Sequence, residues 1–166
     1  AEREGGVLAE GGAGLNVHQG RPERSWILRW LEAYDSLTYP TGVYDELVVN
    51  GKHLPRRMEI LGAWKTGCLR QREHGDVFTD SKGHHFAYTR RWGEHTPVGY
   101  RTWLYLSENE RSFSASVPTS FPSREPEVIR ELLSRKGFGF IWAVFAAHCI
   151  RPEVFPLYDQ HVYRAF

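Results

Sequence analysis

Residues 124–149 read REPEVIRELLSRKGFGFIWAVFAAHC. Ser123 stands as a cap ahead of an amphipathic helix over about 124–135, with Glu125 and Glu127 at its positive end. Val128, Ile129, Leu132 and Leu133 form its apolar face. A break at Lys136–Gly139 follows, then a strongly apolar helix over about 140–149. Glycine is needed where φ is positive or where the backbone must approach another molecule closely. The N–H groups of Phe138 to Ile141 would then sit at a helix N-terminus, where orphan donors and the positive dipole end favour an anion. Arg135 and Lys136 add local positive charge. A DNA phosphate fits such a site and would position the protein without reading sequence. The plainer reading is an αα-corner whose glycines only permit the turn.

Moving outward, Asp159 lies twenty positions after Gly139, and Gln160, His161, Val162 and Arg164 follow it. One reading makes Asp159 the cap of a last helix. The other makes it catalytic. Cleavage of an N-glycosidic bond builds oxocarbenium-like charge on the sugar, and an ionised carboxylate nearby stabilises it or orients the attacking water. Arg164 would serve a phosphate or an internal ion pair, and His161 lies on the same turn.

Residues 135–166 resemble the helix-hairpin-helix DNA glycosylase superfamily, which includes endonuclease III and 8-oxoguanine DNA glycosylase. Gly137 and Gly139 match the family's hairpin glycines, and Ala143 its alanine. Asp159 matches the catalytic Asp, and His161, Val162 and Arg164 match the residues after it, at an interval that needs no gap. The resemblance implies a helical fold, an active site between two lobes and extrusion of the target base, with 8-oxoguanine one possible target. It also shows departures. Arg135-Lys136 replaces Leu-Pro, Trp142 replaces Thr, and Ile141 stands where bifunctional members carry the Schiff-base Lys. An Ile forms no imine, so the resemblance implies water as the nucleophile, or a relocated lysine. Lys65 in the AWKTG stretch is the best substitute. A non-enzymatic helix-hairpin-helix module that binds DNA through the turn alone is the alternative, and a helical interaction domain unrelated to DNA is a third.

Bulk composition limits the readings. The 166 residues suffice for one domain with a core. A net charge of +1 excludes a broadly basic nucleic-acid coat, so any DNA contact must be a local patch. Cys68 and Cys149 make neither a disulfide framework nor a zinc site and read as reduced interior thiols. His74, His84, His85 and His95 are too loosely spaced for a metal centre, and no cofactor is expected. No apolar stretch reaches the ~18 residues of a membrane span and no signal pattern appears. An intracellular, cytoplasmic monomer acting on double-stranded DNA, nucleoid-associated where DNA is bound, is therefore expected. The chain starts without Met and stops at Phe166, soon after Asp159, so it reads as a piece of a longer protein.

Residues 1–22 are Gly-rich and aperiodic and read as a mobile tail ahead of a single domain over 23–166. Helices are expected over about 23–36, 55–70 and 97–108, the last with Thr96-Pro97 at its start, and a short element near Tyr44–Val49. Gly62 and Gly67 either weaken the 55–70 helix or mark close packing. Residues 73–95 read as polar loop with a tip at Asp80–Gly83, and 109–122 as irregular. The expected fold is mainly α, a multi-helix domain built around a helix-hairpin-helix. Arg56, Arg57, Arg70 and Arg72 with Trp64 and Lys65 are candidates for a DNA-facing surface, and His148 reads as an interior histidine. An extruded base needs an aromatic pocket, for which Trp142, Phe138, Phe140 and Trp64 are candidates, with core packing the competing use.

Overall fold

The computed structural model describes residues 39–93, 95, 97, 99–120 and 122–155. The segments expected as tail (1–22) and first helix (23–36) lie outside the described residues. Helix α1 (Thr41–Tyr44) continues as a π-helical turn (Asp45–Val49), and α2 (Arg57–Lys65) follows. Strands β1 (Leu69–Arg72), β2 (Phe78–Thr79) and β3 (His85–Tyr88) come next. The chain then forms α3 (Arg90–Gly93), α4 (Tyr100–Glu108), α5 (Glu110–Ser116), α6 (Glu127–Ser134) and α7 (Phe140–Ile150). The architecture is mainly helical with one small antiparallel sheet of order β1-β3-β2.

Helix α7 is apolar on all sides and is enclosed beyond its first turn, where Ala143, Phe145, Ala146, Ala147, His148 and Cys149 are all buried. Trp64 of α2 stacks on Phe145 at 6.0 Å, and Trp103 of α4 meets the same ring edge-on at 6.0 Å. Helices α2 and α4 approach at Gly62, where a Cβ would stand 2.4 Å from Trp103 Cγ. Only a residue without a side chain lets that indole lie against α2. Arg57 ties the same region together from inside. Its Nη1 donates to the Leu47 carbonyl at 2.6 Å, and both Nη1 and Nη2 donate to the Cys149 carbonyl at 3.2 Å. Its Nε donates to Glu110 Oε1 at 2.6 Å. One buried guanidinium thus joins the π-helical turn, α2, α5 and the end of α7.

Five expectations are corrected. The helix expected over 55–70 occupies only Arg57–Lys65. Gly67 adopts φ +66 just past its end, Cys68 N–H bonds back to the Ala63 carbonyl, and the chain turns out into β1. Residues 69–88, expected to be largely loop beyond the helix, contain the sheet. Its register pairs Leu69 with Tyr88, Gln71 with Phe86, and Phe78 with Phe86. Leu69, Phe78 and Phe86 are buried while Gln71, Arg72, Thr79 and His85 are exposed, so each strand gives at most two core residues and its alternation is too short to stand out. The Asp80–Gly83 tip is the turn between β2 and β3, as expected. Residues 110–116, expected to be irregular, form α5, anchored by buried Phe113 and by Glu110 at the helix's positive end, held by Arg57. Ser123 does not cap α6. Pro126 disfavours helical geometry at Glu125, so the helix starts at Glu127 with Pro126 in extended conformation as its cap. For α4, Gly99 at φ +89 is the cap, and Thr96 is outside the described residues.

Candidate functional site

Helices α6 and α7 are joined by the turn Arg135–Gly139. Arg135 leaves the helix in extended conformation, Gly137 takes φ +75, and the Phe138 N–H closes the turn on the Arg135 carbonyl at 3.1 Å. Phe138 points inward and meets Trp103 at 5.1 Å, edge to face. Lys136, Gly137, Gly139 and Phe140 face solvent, with Phe140 52% exposed. Gly139 is the N-cap of α7 and supplies no side-chain cap for the first-turn amides. Its φ of −78° suits any residue, and no atom of the described residues lies within 4 Å of the position a Cβ would take. Neither backbone conformation nor packing therefore requires glycine here.

The two cations beside the turn differ. Arg135 is engaged: its guanidinium carbon lies 3.5 Å from the Tyr105 ring centroid and its Nη2 reaches Glu131 at 3.3 Å. Lys136 makes no ion pair among the described residues. Ile141 and Trp142 are half-buried in the first turn of α7. Trp142 packs on Phe138 at 5.9 Å and on Trp103 at 6.1 Å.

Trp64, also a candidate for an aromatic pocket, belongs to a row of rings that continues through the core. Phe138 touches Trp103, Trp103 touches Phe145, Phe145 touches Trp64, and Trp64 touches Tyr44. Trp64 donates its indole N–H to the Pro40 carbonyl at 3.0 Å. It is a core residue with its polar atom spent. Lys65, half-buried at the end of α2, places Nζ 5.1 Å from the centre of Phe145. Asp159, His161 and Arg164 lie outside the described residues.

The row ends at a hydrogen-bond relay. His148 Nδ1 lies 2.5 Å from the Phe155 carbonyl, which only accepts, so Nδ1 carries the proton. Its Nε2 is then the acceptor for the Tyr44 hydroxyl at 2.5 Å. Burial lowers the pKa of His148 and keeps the ring neutral. Burial also pushes the Cys149 thiol up to about 12, so it is an inert interior group, and Cys68 is buried as well. No group of three metal-ligating side chains occurs among the described residues. His84 instead bonds Asp80 at 2.8 Å, and His85 bonds Thr79 at 2.9 Å.

Sequence reasoning missed a set of buried carboxylates. Glu59, 1% exposed, receives Arg56 Nε at 2.5 Å and Nη2 at 2.7 Å, and Trp92 Nε1 at 3.2 Å. Arg56 adopts φ +64, the positive-φ position of a turn that Pro55 begins. Such a backbone costs ~1–2 kcal/mol without glycine. The signal was an acidic residue among Met58, Ile60 and Leu61, three positions after an arginine. Glu46 is held by Lys52 at 2.9 Å and by the Ser81 N–H, and these bonds lower its pKa to about 2. Two clefts open beside Arg56 and Tyr88, one lined also by Asp76 and Val77 and the other by Glu59, Trp92 and Tyr100. The arginines expected to share a surface are thus separated: Arg57 is internal, Arg56 covers Glu59, and Arg70 and Arg72 belong to β1.

Comparison with protein-family models, with curated proteins and with solved structures finds no match. No helix among the described residues is long and apolar enough to cross a membrane.

Proposed function

We propose that this chain binds double-stranded DNA through the α6–turn–α7 element, as a base-excision glycosylase-like protein. Lys136, Gly137, Phe138, Gly139 and Phe140 form the phosphate-holding segment. The amides at the start of α7 meet a phosphate oxygen, the helix dipole favours its charge, and Lys136 adds a cation at the rim. The Phe138 side chain is turned inward and fastens the segment to Trp103. The observation that carries the reading is Gly139, a glycine that neither φ nor packing requires and whose open side is where a phosphate would approach.

The chemistry belongs to Asp159. As a carboxylate it would stabilise positive charge on the deoxyribose and orient water, releasing the base by hydrolysis. Ile141 offers no amine, so strand cleavage through an imine is not part of the proposal. The chain would act as a monomer. The second reading is a non-enzymatic module in which the turn binds DNA and nothing is cleaved. It is favoured by the two clefts beside Arg56 and Tyr88, which are not lined by Phe138 or Trp142.

The test is base release from duplexes carrying 8-oxoguanine, uracil, a thymine mismatch or a methylated purine, read with and without hot alkali. Alkali-dependent breaks that vanish in Asp159→Asn support a hydrolytic glycosylase and name its base. Duplex binding without release by the folded chain supports the module. Breaks without alkali contradict the hydrolytic reading and point to Lys65.

A further inference from the structure

The larger of the two clefts beside Arg56 lies between the start of α2 and the segment that leads into β2. Its volume is about 410 Å³, within the ~300–1,000 Å³ typical of small-molecule sites. Ile60, Val77 and Ala87 give it apolar walls, and Tyr88 a ring. Among the described residues, the charged side chains that line it are Arg56 and Asp76. Arg56 is neutralised, because Nε and Nη2 both donate to Glu59, at 2.5 and 2.7 Å. Asp76 is exposed and makes no hydrogen bond or ion pair among the described residues.

The backbone that carries Asp76 is nonetheless pinned on both sides. Gly75 lies so close to β3 that a Cβ would stand 2.5 Å from the Phe86 carbonyl carbon. The Val77 N–H donates to the Phe86 carbonyl at 3.0 Å. The sheet thus fixes the place of a carboxylate that the fold does not use.

These features narrow the ligand. With Arg56 cancelled by Glu59, the charge left at the cleft is that of Asp76, which attracts a cation and repels an anion. A ligand apolar throughout would cover the carboxylate and leave it without a partner. A divalent metal ion needs several oxygen ligands, and no group of three metal-ligating side chains occurs among the described residues. A bare ammonium ion would leave the apolar walls unused. A cation that carries N–H groups on an apolar body meets both demands: the N–H groups donate to the carboxylate, and the body covers the walls and the Tyr88 ring.

We propose that this cleft binds a small organic cation, a primary ammonium on an apolar body, with the ammonium on Asp76 and the body against Val77, Ala87 and Tyr88. The assignment rests on this cleft alone. It holds or fails independently of DNA binding at the α6–α7 turn.

Calorimetric titration of the full chain tests it, with phenethylamine, phenethyl alcohol, hydrocinnamate, tetramethylammonium and acetyl-lysinamide as probes. Phenethylamine is expected to bind with Kd below ~1 mM. The alcohol, which lacks the charge, and tetramethylammonium, which lacks the N–H groups, are each expected to bind roughly tenfold more weakly, and hydrocinnamate more weakly still. Asp76→Asn keeps the backbone contacts of Gly75 and Val77 and is expected to bring phenethylamine down to the affinity of the alcohol. Ala87→Leu narrows the cleft without touching the carboxylate and is expected to weaken phenethylamine at least about threefold. Acetyl-lysinamide binding more tightly than phenethylamine identifies a partner's lysine side chain as the source of the cation; weaker binding identifies a free amine. The proposal is overturned if phenethylamine does not bind a chain that melts cooperatively, or if the alcohol or hydrocinnamate binds as tightly. Unchanged phenethylamine affinity in either variant, with melting like the parent, overturns it too.

Discussion

At Gly62 an added methyl would strike Trp103 at 2.4 Å, and at Gly139 it would meet nothing within 4 Å among the described residues. Gly62 lies in a segment read as helical and Gly139 in the break read between two helices, and they answer to different constraints. Gly62 is dictated by the interior, where α2 and α4 approach over an indole. Gly139 lies at the start of α7, at an ordinary φ and open to solvent. The contrast shows where glycine is explained by folding and where its explanation must lie outside the fold. It also separates the molecule into an interior that tolerates little and a turn whose outer side has room to be changed.

The largest effect is expected at Arg57. Arg57→Leu would strand the Leu47 and Cys149 carbonyls and the Glu110 carboxylate, and loss of a buried charged partner costs ~3–5 kcal/mol. Chemical denaturation should show it, and a change under about 1 kcal/mol would mean that the interior is not organised around this guanidinium. Phe138→Ala comes next, at ~3 kcal/mol for an emptied core site. It would show that the turn's inner side belongs to the core even though its outer side does not.

Gly62→Ala should cost ~1–2 kcal/mol, because overpacking against Trp103 outweighs the ~1 kcal/mol gained in helix propensity. Gly139→Ala should change stability by less than about 0.5 kcal/mol. If the two alanine variants melted alike, the comparison would fail. Smaller still is a pH effect. The fold holds His148 neutral with a lowered pKa, so its contribution is present above the ordinary value of 6.5 and is lost as pH falls below it towards the lowered folded pKa. The melting temperature should fall across that acid window, and His148→Gln should flatten the slope there. The same reasoning places the loss of Glu46's contribution lower, between its ordinary pKa of 4.5 and about 2, where protonation frees Lys52 and the Ser81 amide.

How much was legible in the sequence follows from element length and from burial. Helices α6 and α7 could be read because Val128, Ile129 and Leu132 repeat at helical spacing and the α7 run is apolar throughout. The turn between them is marked by two glycines. The sheet was not legible, because Leu69, Phe78 and Phe86 are too few and too scattered to show a period of two, and Gln71, Arg72, Thr79 and His85 fill its exposed positions. Pro126 displaced a cap that Ser123 advertised. Gly62 was read as either a weak point or a close contact, and only the position of Trp103, forty-one residues away, decides between them. Of the candidate site, the exposed turn was legible. The Arg56–Glu59–Trp92 cluster was not, because it joins residues whose adjacency depends on β3 and α3 folding back onto α2. Arg57, grouped in the sequence with surface arginines, is internal for the same reason: its partners come from residues 47, 110 and 149.

The central claim is that the open side of the α6–α7 turn is a phosphate site. It is tested most directly by duplex-DNA affinity across a salt series for the parent chain, Gly139→Ala and Gly139→Asp, each with its melting temperature. The account predicts that Gly139→Asp melts like the parent but binds at least about tenfold more weakly, a loss of ~1.4 kcal/mol, with a salt slope shallower by about 0.9 for the lost phosphate contact. Equal affinity and equal salt slope in the parent and in Gly139→Asp would contradict it, and the turn would then be a connection between two helices and nothing more.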